Sequence, residues 1–220
     1  MEIFLASNSP RRKELLGLTD LEFRVAPAHI DETPETGETA EAYVRRLAIA
    51  KVTSASKMLE SGIVIAADTT VVHNQSNGEI LLGKPVDSRD AIRLLELLRG
   101  KIHRVITGLA VIDRGSDLMR IDCCVTEVRM RNYTDKEMRI YIDSGDAMDK
   151  AGAYAIQHVD FHPVKEVKGC YANVMGLPLC HLSKLLSKLD IQLRVDIASA
   201  CQRFLDYDCQ VYRKVLAGTN

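Results

Sequence analysis

Residues Ile63 to Val72 read IVIAADTTVV, a near-continuous apolar and β-branched run. A strand of this composition has no face to give to water, so it predicts a place covered on both sides in a parallel or mixed sheet. The surrounding chain alternates short strand-like runs with amphipathic helices. No linker rich in Pro, Gly or Ser, internal repeat or low-complexity tract divides it. At 220 residues the chain can bury a sizeable core, as one large domain or as two small ones sharing it. The expectation is one α/β unit with room for two lobes.

Ile3 to Ala6 reads as a short buried strand. Ser7-Asn8-Ser9-Pro10 then supplies capping hydroxyls and a first-turn proline for a helix running through Leu15 and Leu16 to Gly17. From Ala40 to Leu59, apolar side chains at 44, 47, 48, 52 and 55 make one helical stripe, and Lys51 falls inside it. His73 to Gly78 is dense in turn formers, with Ile80-Leu81-Leu82 returning as a hairpin strand. Asp87 or Ser88 caps a helix carrying Ala91, Leu94, Leu95 and Leu98, which Gly100 ends. Strands are expected near Val105 to Ile112 and Ile121 to Met130. Thr134-Asp135-Lys136-Glu137 is a capping box for a helix to about Asp143. Asp149 to Gln157 and Val164 to Tyr171 are irregular. Gly176-Leu177-Pro178 precedes a helix with Leu182, Leu185, Leu186 and Leu189 on one seam, and from Asp196 onward Ile197, Cys201, Phe204, Val211 and Val215 predict one more amphipathic helix.

Composition narrows the function classes. Apolar residues make up 46% and charged residues 27%, which are globular values, and the formal net charge is -1. There is no overall basic field for nucleic acid or an anionic membrane, and the aromatic fraction of 5% is low for base stacking. An anion must therefore be bound locally. The six cysteines show no CxxC pair and no Cys/His ligand spacing, so they read as reduced thiols. The first residues lack a basic segment and a signal-length apolar stretch, and no run approaches a bilayer span; the expected location is the cytoplasm.

Few residues stand where chemistry would need them. Ser7, Arg11 and Arg12 flank the first strand-to-helix turn, where main-chain N–H groups and two guanidiniums could converge on a phosphate; an ordinary capped helix with solvated arginines is the alternative. Arginines in a first turn oppose the helix dipole, which favours a bound anion. Asp68 interrupts the buried strand and has to be paired, protonated or metal-bound. Asp31-Glu32 lies in an unpatterned loop, solvated if alone. Two convergent carboxylates would suit a Mg²⁺ that takes its other ligands from water and phosphate oxygens. Lys51 and Lys84 are the remaining cations, the first explicable by snorkelling along its apolar stripe. Gly78 to Lys84 matches G-x-x-x-x-G-K, but Pro85 replaces the required hydroxyl residue and the intervening residues form a strand, so a P-loop is rejected. No serine or cysteine has an evident base partner, which disfavours nucleophilic catalysis.

SNSPRRKELL from Ser7, Asp31-Glu32, Ala67-Asp68-Thr69, Gly83-Lys84-Pro85, DKAGAYAIQ from Asp149 and VMGLPL from Val174 occur in that order. Together they resemble the Maf family of nucleoside triphosphate pyrophosphatases, over about Ile3 to Leu189. The resemblance implies a mixed α/β fold with a twisted sheet and flanking helices, related to that of inosine triphosphate pyrophosphatases, with two lobes around a deep cleft. It implies hydrolysis between the α and β phosphates, dependent on Mg²⁺ or Mn²⁺. By motif, Asp68 is the general base or the organiser of the metal and its water, Glu32 a metal-side carboxylate, and Ser7, Arg12, Lys51 and Lys84 hold the phosphates.

Substrate choice in the family is carried by three places, here Arg11, Thr69 and Gln157. This trio looks like the subgroup acting on dTTP and UTP; the subgroup for N7-methylated GTP carries Glu in place of that Gln. The alternatives are the same reaction on N7-methyl-GTP or a non-standard purine triphosphate, and a non-enzymatic regulator of cell division that binds nucleotide. The family also implies a homodimer. Two departures stand out: His158 to Pro163 replaces a stretch that is usually glycine-rich, and residues 190–220 form an extension longer than usual, expected to pack on the core or at a dimer interface.

Overall fold

The apolar run at 63–72 becomes the central strand of a seven-stranded mixed sheet in the computed structural model, which describes residues 1–75 and 78–218. We number the strands β1 (Ile3–Leu5), β2 (Arg24–Val25), β3 (Ile63–Gln75), β4 (Gly78–Leu82), β5 (Ile102–Asp113), β6 (Leu118–Met130) and β7 (Val164–Lys168). Their order is β2-β1-β3-β5-β6-β7, with β4 also on β3. The β1 strand runs parallel to both neighbours and every other pairing is antiparallel.

One edge of β3 is covered along Ile63 to Val72 by β5, whereas the other edge is shared. Its first residues, Ile63 to Ile65, pair with β1, and its last, Val71 to Gln75, pair with β4. Among the described residues no strand lies opposite 66–70 on that side, and the sheet is notched there. Ile63 donates to Glu2 and Ile65 accepts from Ala6 across this edge, so strand alternation points the main-chain groups of Ala67 and Thr69 into the notch.

Alternation also sorts β3 between two cores. Ile63, Ile65, Ala67 and Val71 join the larger core with helices α1 (Pro10–Gly17), α3 (Ser88–Leu98), α4 (Asp135–Asp143) and α6 (Leu179–Ser187). Val64 and Ala66 face the other way, onto Ala48 and Val52 of α2 (Ala40–Ser56). Asp68 belongs to this second face and Thr69 to the first. Gly108 of β5 lies beside Asp68 and lets α2 down onto the sheet, because a Cβ there would meet the Val44 carbonyl oxygen at 2.3 Å.

The helix ends form as their residues dictate. Ser9, Thr39, Asp87 and Thr134 cap α1, α2, α3 and α4, and both bonds of the Thr134 capping box are present. Helix α2 stops at Ser56, before the expected Leu59, because the Leu59 N–H turns back to the Ser56 carbonyl. The middle of the expected turn at 73–78, residues 76–77, lies outside the described residues. Four elements among the described residues were not expected: the two-residue β2, a 3-10 turn at Ala151–Ala153, β7, and the single-turn helix α5 (Tyr171–Val174).

The single helix expected after Asp196 is two, α7 (Ile197–Leu205) and α8 (Tyr212–Ala217). Asp206 adopts a left-handed conformation at φ 46° and breaks it, with the Tyr207 N–H returning to the Gln202 carbonyl. The apolar pattern continues because both pieces rest on α6, and Tyr207 packs its ring on Tyr171 of α5 at 5.2 Å. Phe204, one of the expected apolar positions, is exposed instead. Among the described residues all six cysteines are free, and no helix is long and apolar enough to cross a membrane.

Candidate active site

The notch on β3 opens into a cleft of about 430 Å³. Ser7, Arg11, Arg12, Glu32, Lys51, Asp68, Thr69, Lys84 and Gln157 all line it. They come from the β1–α1 turn and the first turn of α1, the loop before α2, α2 itself, β3, the loop after β4, and the segment after the 3-10 turn at Ala151–Ala153. None of these stretches is adjacent in sequence to more than one other. The split edge of β3 is what gathers them.

Asp68 projects from the α2 side of β3. Its Oδ1 lies 2.5 Å from Lys51 Nζ, and the same ammonium is 2.7 Å from Glu32 Oε1. The lysine inside the apolar stripe is therefore an ion-pair partner of the aspartate inside the apolar strand, which accounts for both anomalies. Asp68 and Lys51 side chains are 10% and 11% exposed, whereas Glu32 is 56% exposed, so the pair is shielded and Glu32 opens to the cleft. Burial pushes the Asp68 carboxyl above the usual carboxylate range, and the charges of Lys51 and Arg12 pull against it. Tyr43, one helical face along from Lys51, fixes the Glu32 loop by donating its hydroxyl to the Glu32 carbonyl at 2.9 Å. Burial raises that phenol to about 12, so it stays a donor.

Arg12 lies on the other side of β3 and is held at three points. Its Nε donates to the Gly176 carbonyl at 2.9 Å, Nη1 to Ser7 Oγ at 3.3 Å, and Nη2 to Thr69 Oγ1 at 3.1 Å. A guanidinium has five N–H groups, so one remains on each terminal nitrogen. Gly176 has φ 101°, and a Cβ there would sit 3.2 Å from Arg12 Nε, so both the backbone and the space require glycine. Lys84 is placed by its neighbour Gly83, whose carbonyl accepts from the Gly152 N–H at 3.0 Å. Arg11 and Lys84 make no hydrogen bond or ion pair among the described residues. They are uncommitted cations on the cleft wall.

Sequence reasoning passed over several residues of the same cleft. Lys150 is buried and holds Asp149, Asp146 Oδ1 and the Asp146 carbonyl at 2.6 to 3.0 Å. Tyr154 donates to or accepts from His103 Nε2 at 2.8 Å and lines the wall. Both lie in the DKAGAYAIQ stretch, but within it a lysine next to an alanine-glycine turn looks like a solvated residue and was given no role. Glu32 and Asp68 are hard oxygen donors converging on one positive centre, and they fit a hard cation that completes its shell with water and phosphate oxygens. Among the described residues no group of three possible ligands comes together, so substrate oxygens would have to supply the rest.

Comparison with known proteins adds a family. A family model described as Maf-like protein matches residues 2–189. A protein of Pelotomaculum thermopropionicum named dTTP/UTP pyrophosphatase is 44% identical over 187 residues, covering 85% of this chain and 96% of that one. One of the same name from Clostridium perfringens is 44% identical over 195 residues, covering 88% of this chain and all of its own length (100%). A third, from Geobacter sp. (strain M21), is 44% identical over 180 residues, 82% of this chain and 91% of that protein. Among solved structures the Ham1 protein of Staphylococcus aureus aligns over 94% of this chain and 98% of its own at 16% identity, with a TM-score of 0.49.

Proposed function

Since the chain belongs to the Maf family, we propose that it is a nucleoside triphosphate pyrophosphatase that hydrolyses dTTP and UTP to the monophosphate and pyrophosphate. The observation that carries the reading is the meeting of Asp68, Lys51 and Glu32 opposite Arg12, Ser7 and Lys84 across one cleft. Glu32 and Asp68 meet Lys51 on the α2 side of β3, and Arg12 meets Ser7 and Thr69 on the other. Water attack at phosphorus needs a proton acceptor beside the water and positive charge around the phosphate oxygens, and no covalent nucleophile.

In this reading Asp68 accepts the proton of the attacking water. Lys51 keeps that carboxylate ionised in its buried place and holds Glu32 next to it. The free N–H groups of Arg12, the main-chain N–H of Arg11 at the start of α1 and the Lys84 ammonium hold the triphosphate in line. Glu32 and Asp68 would hold a divalent cation, Mg²⁺ or Mn²⁺, which when bound offsets charge on the phosphate oxygens. Arg11, Thr69 and Gln157 select the base; a glutamine amide offers a neutral pyrimidine edge both a donor and an acceptor. The six free thiols suit a reducing cytoplasm.

The test is incubation of the purified protein with Mg²⁺, and separately Mn²⁺, and each of dTTP, UTP, CTP, GTP, N7-methyl-GTP and inosine triphosphate, resolving pyrophosphate from phosphate. Monophosphate and pyrophosphate from dTTP and UTP are expected, and Asp68→Asn should lower turnover by about 10²-fold or more, the range for loss of a general base, while the protein stays folded. Preference for a purine would overturn the assigned base. Diphosphate and phosphate would overturn the assigned bond, and no turnover with either metal would overturn the enzymatic reading.

A further inference from the structure

Thr69 and Thr107 stand opposite one another on β3 and β5, on the sheet face that carries Arg12. Their hydroxyls are 2.9 Å apart, and Thr107 Oγ1 also lies 3.2 Å from the main-chain oxygen of Asn173 in α5. Thr107 is fully buried at 0% exposure, so its single hydroxyl proton has only these two partners. A carbonyl oxygen only accepts. Were the Thr107 proton given to Thr69, its lone pairs would face the Asn173 oxygen at 3.2 Å with no hydrogen between them. The order that satisfies every group runs from Arg12 Nη2 to Thr69, from Thr69 to Thr107, and from Thr107 to Asn173.

The chain closes on itself. The Gly176 N–H donates to the same Asn173 carbonyl at 2.9 Å, and the Gly176 carbonyl accepts from Arg12 Nε at 2.9 Å. Asn173 is fixed from behind, its Nδ2 donating to the Val105 carbonyl and to Thr126 Oγ1 at 2.9 Å each. Arg12 is thus gripped by two arms of one hydrogen-bonded ring that share a single carbonyl.

We infer that Thr107 is a positioning residue: by taking the Thr69 proton it turns a Thr69 lone pair toward Arg12 and aims the two uncommitted guanidinium N–H groups into the cleft. Thr69 then presents no proton to the substrate and can meet the base only with its remaining lone pair. The inference rests on the reading above, in which Arg12 holds the triphosphate.

Thr107→Val keeps the shape and removes the proton relay; Thr107→Ser keeps the relay. With dTTP as the substrate, Thr107→Val should raise KM on the order of ten-fold, the size expected for losing alignment of a charged hydrogen bond, with a smaller change in kcat. Thr107→Ser should stay within about two-fold of the starting protein, as its hydroxyl preserves the bond. In an Arg12→Ala background the Thr107→Val change should leave KM where Arg12→Ala put it. A purely structural role would instead lower melting temperature and kcat in both backgrounds, and that result, or an unchanged KM, overturns the inference. Should Thr107→Val not fold, Thr107→Cys, a weaker donor, reads the same comparison. If the unsubstituted protein turns over no triphosphate, the functional reading fails instead, and the two failures are distinct.

Discussion

Gly108→Ala is the substitution whose effect the structure fixes most closely. The added Cβ would lie 2.3 Å from the Val44 carbonyl oxygen, 2.5 Å from its carbon and 2.8 Å from the Arg45 nitrogen, where ordinary contact begins at 3.4 Å. Every one of those atoms is helix or strand backbone, so no side chain can swing aside. Helix α2 must rise by roughly 1 Å, an overpacking that costs about 1–3 kcal/mol. For a chain of this length each kcal/mol lowers Tm by about 2–4 °C, giving a fall of roughly 2–12 °C. The same movement carries Lys51 away from Asp68 and Glu32, which it now holds at 2.5 and 2.7 Å. A misplacement of about 1 Å at a catalytic constellation costs on the order of 10²-fold in rate. Thermal unfolding followed by circular dichroism and kcat/KM on dTTP would read both consequences. Gly17→Ala, a helix position with nothing within 4 Å of the added carbon, is the control and should lower neither Tm nor activity. Unchanged Tm and full activity for Gly108→Ala would refute the claim that this close approach sets the height of α2 and, through it, the Lys51–Asp68 pair.

Two other outcomes can be checked with the same preparations. Burial raises the Asp68 carboxyl and Lys51 is the strongest charge opposing it. A base must be ionised, so activity falls as pH drops through that pKa. Lys51→Met should therefore move the acid limb of the residual kcat/KM profile to higher pH, and a limb that stays or moves down would remove Lys51 from this role. Thr134→Ala breaks the capping box of α4 and should cost about 1 kcal/mol, with turnover on dTTP unaltered. A melting temperature equal to that of the parent would contradict the cap's contribution.

Residues that break a local rule were the legible ones. Asp68 in an apolar strand and Lys51 in an apolar helical stripe each cost energy unless something compensates, and the compensation is the pair they form. Helix starts were legible because capping is a contest among neighbours three residues apart. Edge elements were not: β7 reads VKEVK, three of its five residues charged, and β2 is two exposed residues whose only strand partner among the described residues is β1. The break at Asp206 was hidden because both α7 and α8 lie on one support, so the apolar rhythm runs through it. Gln157 obeys every local rule, and only the family pattern marked it. Thr107 was the least visible, since a threonine in VITGLAV is an ordinary strand former. Its meeting with Thr69 and Asn173 is a matter of pairing across 38 and 66 residues.

The notch in β3 has a bearing on how this cleft would respond to systematic mutagenesis. A scan replaces side chains one position at a time, yet part of what faces the notch is peptide, the N–H and C=O of Thr69 and its neighbours beyond the reach of β1 and β4. Those dipoles are held in place by the ladder to β5 on the opposite edge and remain in every single-residue variant other than a proline. Affinity for ligand would accordingly decline toward a floor, common to all variants, that reports the ribbon of the strand and not its sequence. Only a change that unzips β3 from β5, or draws β4 along the open edge, could take the cleft below that floor.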